Sequence, residues 1–316
     1  MTDPILKIIR EQIGAAIEQG DSTNSDAHDD ISRLLDEIHL RHGSSIVAVI
    51  AYGSYLRGKR DTLLDFYVLL ENFNLMPERW HGWSARVLPP NVYNVCVGQI
   101  PNQARAKYAA LSLGQFERAM TDHFHSYFWA RFAQPCRLVY VKSAEVEQRI
   151  VLSLRSATHT FIRRVLPLVN NTFSSRDLWR CGLSQTYNCE LRTESEEQAD
   201  KLIDAHPAYF QAITQAIAPE FRIEEISDDC FSVDVSKRDQ TTALRMWRLR
   251  RWQGKCLSVL RILKAATTFD DSLEYLLWKI ERHSGIYIKP SPRQTRFPLI
   301  FAWGLLWRLY RLGAFR

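Results

Sequence analysis

The sequence predicts an α+β fold: a mixed sheet with helices, then a mainly helical region that carries a hairpin, and finally a basic helical C-terminus. Three observations support this prediction. Short apolar runs rich in β-branched and aromatic residues are mixed with helical stretches over residues 1–145. Helical periodicity dominates residues 146–236, which end in a strand-like pair. Arginine is concentrated in residues 237–316. Because 316 residues exceed what one hydrophobic core normally serves, we expect these three ranges to be separate regions.

The charge of the chain is unevenly distributed. Residues 237–316 contain 17 Lys and Arg against 5 Asp and Glu, a net charge of +12, whereas the whole chain carries +6. This asymmetry favours an anionic partner, either nucleic acid or an acidic membrane surface. A content of 46% hydrophobic and 24% charged residues excludes a disordered chain.

The cysteines and the N-terminus indicate a cytoplasmic protein. The six cysteines are scattered without a CxxC pair, which favours buried free thiols over disulfides: Cys96, Cys136, Cys181, Cys189, Cys230 and Cys256. The opening stretch "MTDPILKIIREQIGAAIEQG" has an acid at position 3 and the pattern of an amphipathic helix rather than of a signal peptide.

The elements of the first region follow in chain order. After the opening helix, "DSTNSDAHDD" is either a linker or the start of the helix "DDISRLLDEIHLRHG", for which Gly43 is a C-cap. The apolar runs predict four strands, and between the last two "NQARAKYAALSLGQFERAM" has helical periodicity. The strands are expected in "SSIVAVIAYGS", "LLDFYVLLEN", "PPNVYNVCVG" and "CRLVYVK".

The second and third regions are predicted to be mainly helical. Residues 144–219 are interrupted by the polar "NNTFSS" and by "RCGLSQTYNCELRTE", which is too irregular for a plain helix. The segment "EFRIEEISDDCFSVDVS" then alternates around Asp228 and Asp229, as a hairpin does, so the region is winged-helix-like. From Gln240 onward the chain is helical and rich in arginine.

The stretch "VIAYGSYLRGKRDTLLDFYVLLEN", Val49 to Asn72, carries the main candidate site. It reads as a strand, a Gly-Ser turn, a basic loop and a second strand that opens on Asp65. Gly53 lacks a Cβ and Ser54 adds a hydroxyl, so the turn can approach phosphates closely. Asp65 can hold Mg²⁺ against those phosphates, because Mg²⁺ prefers a few carboxylates plus substrate oxygens.

This pairing resembles the DNA polymerase β-like nucleotidyltransferases, although Phe66 and Tyr67 follow Asp65 where that superfamily usually has Asp-x-Asp. The runs "AYGSYLRG", "LDFYVLL", "VYN" and "AKY" occur in the order seen in the mitochondrial-type CDP-diacylglycerol synthases, the translocator assembly and maintenance family. "GLSQTYNCELR" is similar to that family's Leu-Ser-Tyr…Asp-x-Arg segment, with Glu190 in place of Asp. The resemblance covers about residues 45–215.

The resemblance implies a nucleotidyltransferase domain, a winged-helix domain and a membrane-associating C-terminal helix. It also implies Mg²⁺-dependent transfer of CMP from CTP to phosphatidic acid, with release of pyrophosphate. Gly53 and Ser54 would then hold the triphosphate and Asp65 the metal, while Lys107 contacts phosphate, so that Asp65 and Lys107 are the catalytic residues.

The further candidate site residues can also be explained without a role in binding. Asn94 and Tyr108 are assigned to nucleotide binding, but Asn94 could satisfy a strand end and Tyr108 could be a packing aromatic with a polar tip. Lys107, on a predicted helix, could simply be solvated. Glu190 and Arg192 are assigned to substrate or phosphate. His123 and His125 lack a third ligand at metal spacing, which disfavours zinc.

The C-terminus predicts contact with a membrane surface. The apolar run 297–307 has 11 residues, and a helix of that length spans about 16 Å, half of a bilayer core. Basic residues flank it, so residues 297–316 are predicted to form an interfacial helix on an anionic leaflet, or else a helix docked on the protein's own core. We therefore expect a cytoplasmic protein, peripheral on the inner face of the cell membrane.

Two other functions compete with this interpretation. One is a soluble nucleotidyltransferase with a non-lipid acceptor. The other is a degenerate, non-catalytic protein of the same fold that binds nucleic acid through the basic run "RMWRLRRWQGK". In the preferred interpretation the partners are CTP, phosphatidic acid, Mg²⁺ and an anionic membrane surface, and no specific nucleic acid is expected.

Overall fold

A mixed sheet of five strands organises the N-terminal half of the chain. The computed structural model of the protein describes residues 3–18, 25–53, 63–71, 89–98, 104–121, 123–190, 196–268 and 311. The sheet strands are β1 (Ile46–Tyr52), β2 (Leu64–Leu70), β3 (Asn91–Val97), β4 (Ala104–Ser112) and β5 (Arg137–Val141). Their spatial order is β3-β4-β2-β1-β5, with β2 and β4 parallel and every other neighbouring pair antiparallel.

Helices surround this sheet and form most of the remaining described chain. They are α1 (Pro4–Glu18), α2 (Ser25–His42), α3 (Leu113–Thr121), α4 (Trp129–Phe132), α5 (Ala144–Val165), α6 (Ser175–Tyr187), α7 (Glu196–Ala205), α8 (Pro207–Ile217) and α9 (Lys237–Thr268). Helix α2 packs on β3 and β4, whereas α1 contacts β5, α5 and α8. These elements confirm the predicted α+β class, its mixed sheet and the helical regions that follow it.

The predicted opening elements are confirmed with one shifted boundary. Helix α2 begins at Ser25, inside the polar stretch that could have been a linker. It ends before Gly43, whose φ of +57° is the left-handed conformation of a C-terminal glycine cap. Strands β1 and β2 lie where the apolar runs predicted them, and nearly all of their residues are buried.

The prediction of one helix over residues 102–120 is wrong for its first half. Ala104–Ser112 is strand β4, and only Leu113–Thr121 is helical. Its alanines favour a helix intrinsically, but pairing with β2 on one side and β3 on the other overrides that preference. Ala106 and Ala110 are buried in the sheet, so Lys107 lies on a central strand rather than on a helix.

The expectation that "RCGLSQTYNCELRTE" is irregular is wrong up to Tyr187. Helix α6 covers that part, and a capping box between Ser174 and Asp177 begins it. Gly182 allows α6 to approach α5 closely, because a Cβ on it would lie 2.2 Å from Cζ of Phe161. The chain leaves the helix at Asn188 and turns toward Glu190.

The predicted hairpin is confirmed as β7 (Glu224–Ser227) and β8 (Cys230–Ser232), with Asp229 in the left-handed region at φ +52°. Strand β6 (Thr172–Phe173) pairs with β8 and makes a sheet of three strands. The assignment of this region to a winged helix stays a prediction, as does the division at residues 145 and 236.

The long helix α9 confirms the predicted helical C-terminal region as far as Thr268. Trp247 is fully buried and donates a hydrogen bond from Nε1 to the carbonyl oxygen of Arg164 at 2.9 Å. A Cβ on Gly254 would lie 2.4 Å from the carbonyl oxygen of Cys189, so α9 packs tightly there. Within the described chain, none of the helices has the length and apolarity needed to cross a membrane.

The remaining predictions for the ends and the cysteines have mixed outcomes. All six cysteines are free thiols, as expected. The expected burial holds for Cys136 and Cys189 but is wrong for Cys96 and Cys256, which are exposed. The predicted interfacial helix over 297–316 lies outside the described residues, apart from Arg311.

Candidate functional site

A single row of residues crosses four neighbouring strands of the central sheet. Tyr52 is the β1 partner of Asp65, Asp65 is the parallel partner of Lys107 on β4, and Lys107 is the partner of Asn94 on β3. Directly paired residues in a sheet point to the same face. The correction of Lys107 from helix to strand therefore places it next to the predicted metal ligand, Asp65.

Gly53 follows β1 directly and lies against the carboxylate of Asp65. Its φ of +93° is unfavourable for any residue with a side chain, and a Cβ there would lie 3.3 Å from Oδ2 of Asp65. Glycine therefore serves both the turn and the approach to this carboxylate. Ser54, Asp61 and the basic loop residues Arg57, Lys59 and Arg60 lie outside the described residues.

These residues line a cavity of about 460 Å³. The sheet contributes Gly53, Asp65 and Lys107 to one side of it. The segment around α4 and the turn after α6 contribute Tyr127, Arg131 and Glu190. Glu190 is thus brought to the same cavity as Asp65, as the assignment to substrate or phosphate requires, whereas Arg192 lies outside the described residues.

Arg131 is a cavity residue that the sequence analysis missed. Its Nη1 donates a hydrogen bond to the Tyr67 hydroxyl at 2.9 Å, and its Nη2 lies 3.4 Å from Oε1 of Glu190. Its guanidinium carbon lies 5.2 Å from the ring centre of Tyr52 and 4.7 Å from that of Tyr127. The aromatic residues around it, Phe128, Trp129 and Phe132, are buried in the core. In the sequence, the only feature that distinguishes Arg131 is that it is a single charged residue within an apolar run.

Arg261 brings the long helix α9 to the same group. Its guanidinium carbon lies 4.0 Å from the ring centre of Tyr127. Burial lowers the pKa of Arg261. Burial by itself would raise the pKa of Tyr127, but Arg131 and Arg261 outweigh it and hold that pKa below its usual value. Lys107 and Arg131 therefore line the cavity as cationic side chains, and Arg261 adds a third cation behind the lining ring of Tyr127.

Burial also governs the electrostatics of Asp65. It raises the pKa of this carboxyl above the ordinary value, although Lys107 and Arg131 each pull it down. A carboxylate in such a position is stabilised by an added cation, because the cation replaces the solvation that burial removes.

Magnesium is compatible with the donors at this site. The carboxylates among the described cavity residues are Asp65 and Glu190, and Glu190 is engaged with Arg131. No group of three or more metal-binding side chains occurs within the described ranges. Mg²⁺ is commonly held by one or two carboxylates together with water and substrate phosphates, so Asp65 fits the role of a single protein ligand.

Tyr108 does not line this cavity, and its assignment to nucleotide binding stays a prediction. It neighbours Lys107 on β4 and so points to the opposite face, where it is 1% exposed. Its hydroxyl lies 3.0 Å from Nε2 of His42 on α2, and its ring stacks on Tyr93. These contacts agree with the alternative interpretation of Tyr108, a packing aromatic with a polar tip.

Two other candidates also lie away from the cavity. Asn94 belongs to the row of Asp65 but does not line the cavity, and its carbonyl oxygen accepts a hydrogen bond from Arg41 at 3.0 Å. His123 and His125 have ring centres 4.8 Å apart. Burial, together with Arg261, lowers the pKa of His125 to about 3, which keeps this imidazole neutral.

No protein-family model matches the chain, and no curated protein matches its sequence. The case for a function therefore depends on the motifs and on the geometry of the cavity.

Proposed function

We propose that the protein is a Mg²⁺-dependent nucleotidyltransferase that transfers CMP from CTP to phosphatidic acid and releases pyrophosphate. The observation that carries this proposal is the convergence of Gly53, Asp65 and Lys107 on one cavity. These residues were selected from motifs on three different segments of the chain, and two of them are direct neighbours in the sheet. A set of unrelated turn, cap and surface residues would not be expected to meet in this way.

The chemistry requires charge neutralisation and alignment more than a general base. An oxygen of the acceptor phosphate attacks the α-phosphorus of the nucleotide, and the bond to the pyrophosphate oxygen breaks. The attacking phosphate is already an anion, so no proton has to be removed from it. Lys107 and Arg131 would offset the negative charge that accumulates where the two phosphates meet. Mg²⁺, when held by Asp65, would supply further positive charge to the phosphates.

A surface on α9 supports a lipid acceptor. Leu249, Trp252 and Leu260 are 55, 72 and 50% exposed, and their spacing places them on one side of the helix. Arg245, Arg248 and Lys255 are exposed beside them. Apolar and aromatic side chains flanked by cations suit the headgroup region of an anionic leaflet. In this proposal the protein is peripheral on the inner face of the cell membrane, with residues 297–316 as a further contact.

The proposal is tested by a direct assay of nucleotide transfer to the lipid. The purified full chain is incubated with Mg²⁺, each labelled nucleoside triphosphate in turn, and phosphatidic acid in mixed micelles, and lipid-soluble label and pyrophosphate are followed. Micelles of diacylglycerol, which lacks the phosphate, are the matched acceptor control. We expect CMP from CTP to enter the lipid only with phosphatidic acid. Release of pyrophosphate with a water-soluble acceptor alone would instead identify a soluble nucleotidyltransferase.

The exposed arginines of α9 favour nucleic-acid binding as a second candidate function. In that case duplex or single-stranded nucleic acid should bind with a steep dependence on salt and without nucleotide turnover. Such binding, combined with no transfer to any acceptor, would replace the enzymatic proposal.

A further inference from the structure

The environment of Arg131 differs from that of an ordinary structural arginine. Its side chain is 24% exposed and faces the cavity, and the contacts that fix its position are the Tyr67 hydroxyl and two tyrosine rings. Tyr67 is fully buried, so it provides a rigid support for the guanidinium. The guanidinium is therefore held in place by neutral groups that do not cancel its charge.

Glu190 is a weak partner for this guanidinium. The separation of 3.4 Å between Nη2 and Oε1 is longer than a typical charge-assisted hydrogen bond, and only one oxygen is engaged. The Glu190 side chain is 38% exposed and lies in the turn after α6. An arginine has five N–H donors in a planar fork that matches two oxygens of a phosphate better than one oxygen of a carboxylate.

The local charge also favours an anion. Lys107, Arg131 and Arg261 are grouped around Tyr127, as the cation contacts and the lowered pKa of Tyr127 show. The carboxylates among the described cavity residues, Asp65 and Glu190, balance two of these three cations. A Mg²⁺ ion at Asp65 would increase the excess of positive charge.

We propose that Arg131 is a binding subsite for a phosphate or pyrophosphate group, and that Glu190 occupies it as a substitute anion until that ligand displaces it. This inference rests on the proposed function only for the identity of the molecule that carries the phosphate, which is either the nucleotide or the lipid headgroup. It changes the role of Glu190 from a substrate ligand to a competitor of the substrate.

The test is a calorimetric titration of the full chain with pyrophosphate, in the absence of lipid and nucleotide, with and without Mg²⁺. Arg131→Gln should weaken binding by about 10- to 100-fold, the range for loss of a hydrogen-bonded charge. Glu190→Gln should strengthen binding by about 2- to 5-fold, because an accessible ion pair of modest strength no longer has to be broken. If Glu190→Gln binds neither pyrophosphate nor short-chain phosphatidic acid more tightly than the unchanged protein does, the proposal is overturned.

Arg176→Gln is the matched control. Arg176 is also paired with carboxylates, at 3.2 Å from Asp200, but it lies on the exposed face between α6 and α7, so pyrophosphate binding should not change. If Arg131→Gln fails to fold by circular dichroism, Glu190→Gln decides alone, because its side chain is accessible. Equal losses in Arg131→Gln and Arg176→Gln would show a general charge effect and would also overturn the subsite.

A second titration, with short-chain phosphatidic acid in place of pyrophosphate, identifies the source of the phosphate. A loss on Arg131→Gln with pyrophosphate alone assigns the subsite to the nucleotide, and a loss with phosphatidic acid alone assigns it to the headgroup. The two proposals can fail separately. Pyrophosphate binding that depends on Arg131, without CMP transfer, would keep the subsite and remove the enzymatic function. CMP transfer that neither Arg131→Gln nor Glu190→Gln affects would keep the enzymatic function and remove the subsite.

Discussion

Asp65 and Lys107 are direct partners in the parallel ladder between β2 and β4, and both line the cavity. This acid and this base therefore lie side by side on adjacent central strands, next to the turn that carries Gly53. In the proposed function Asp65 would hold the metal ion, and Lys107 would offset the charge of the bound phosphate. The parallel pairing determines this relationship, so it does not depend on flexible loops.

Replacing Asp65 with Asn should lower the proposed activity without lowering the stability of the fold. We expect turnover to fall by at least about 100-fold, because the proposed metal loses its protein ligand. The melting temperature should stay the same or rise, since burial raises the pKa of Asp65 and its charged form therefore opposes folding at neutral pH. Transfer assays and calorimetry on the same preparation measure both effects. Near-normal transfer would remove Asp65 from the catalytic residues.

Gly53→Ala should damage both the turn and the site. A side chain at φ +93° costs about 1–3 kcal/mol, and the new Cβ would crowd Oδ2 of Asp65. Urea denaturation should show this loss of stability, together with reduced transfer. Gly14→Ala is the control: it lies in α1 with nothing within 4 Å of the added Cβ, and it should gain up to about 1 kcal/mol. Equal stability of both variants would contradict the strained turn.

Adjacent residues on β4 should behave differently because they face opposite sides of the sheet. Lys107→Gln should lower transfer by about 10-fold or more, since a charge next to the phosphates is lost. Tyr108→Phe should leave the KM for nucleotide unchanged and cost about 1 kcal/mol of stability through the lost contact with His42. A raised KM in Tyr108→Phe would restore Tyr108 to the nucleotide site.

The protein should lose stability as the pH falls below about 6.5, the usual pKa of histidine. Burial lowers the pKa of His42 to about 4 and that of His125 to about 3. Between those values and 6.5 the unfolded chain binds more protons than the folded one, so each histidine should cost about 1.4 kcal/mol per pH unit. Urea denaturation at several pH values checks this slope, and His125→Asn should reduce it. A flat profile would show that both imidazoles are solvated.

Trp252→Glu on α9 should reduce cosedimentation with anionic vesicles by about 10-fold, since a large apolar ring that would insert into the headgroups is replaced by a charge. Leu152→Glu is the control, because Leu152 is an exposed apolar residue (43%) on a different helix, α5. Undiminished binding in Trp252→Glu would place the membrane contact elsewhere.

The sequence was most informative where the chemistry is local. Gly53 and Asp65 could be identified because a turn and the strand after it leave a motif within a few residues. The face on which Tyr108 lies could not be predicted, because it depends on β4 being a strand, and its alanines favour a helix until β2 and β3 pair with it. Arg131 and Arg261 could not be found either, since their roles depend on contacts with Tyr127 between segments that are distant along the chain.

The ring of Tyr127 links the sheet half of the molecule to α9 through Arg261. A second aromatic contact between the two parts joins Trp129 to Trp247, with ring centres 6.0 Å apart. A truncated chain ending before α9 would lose the residue that covers Tyr127 and would expose the indole of Trp129 to water. The half of the molecule that carries the candidate site therefore cannot be produced as a shorter fragment with its cavity intact. Fusion partners and purification tags should accordingly be attached at the chain ends and not at the boundary before α9.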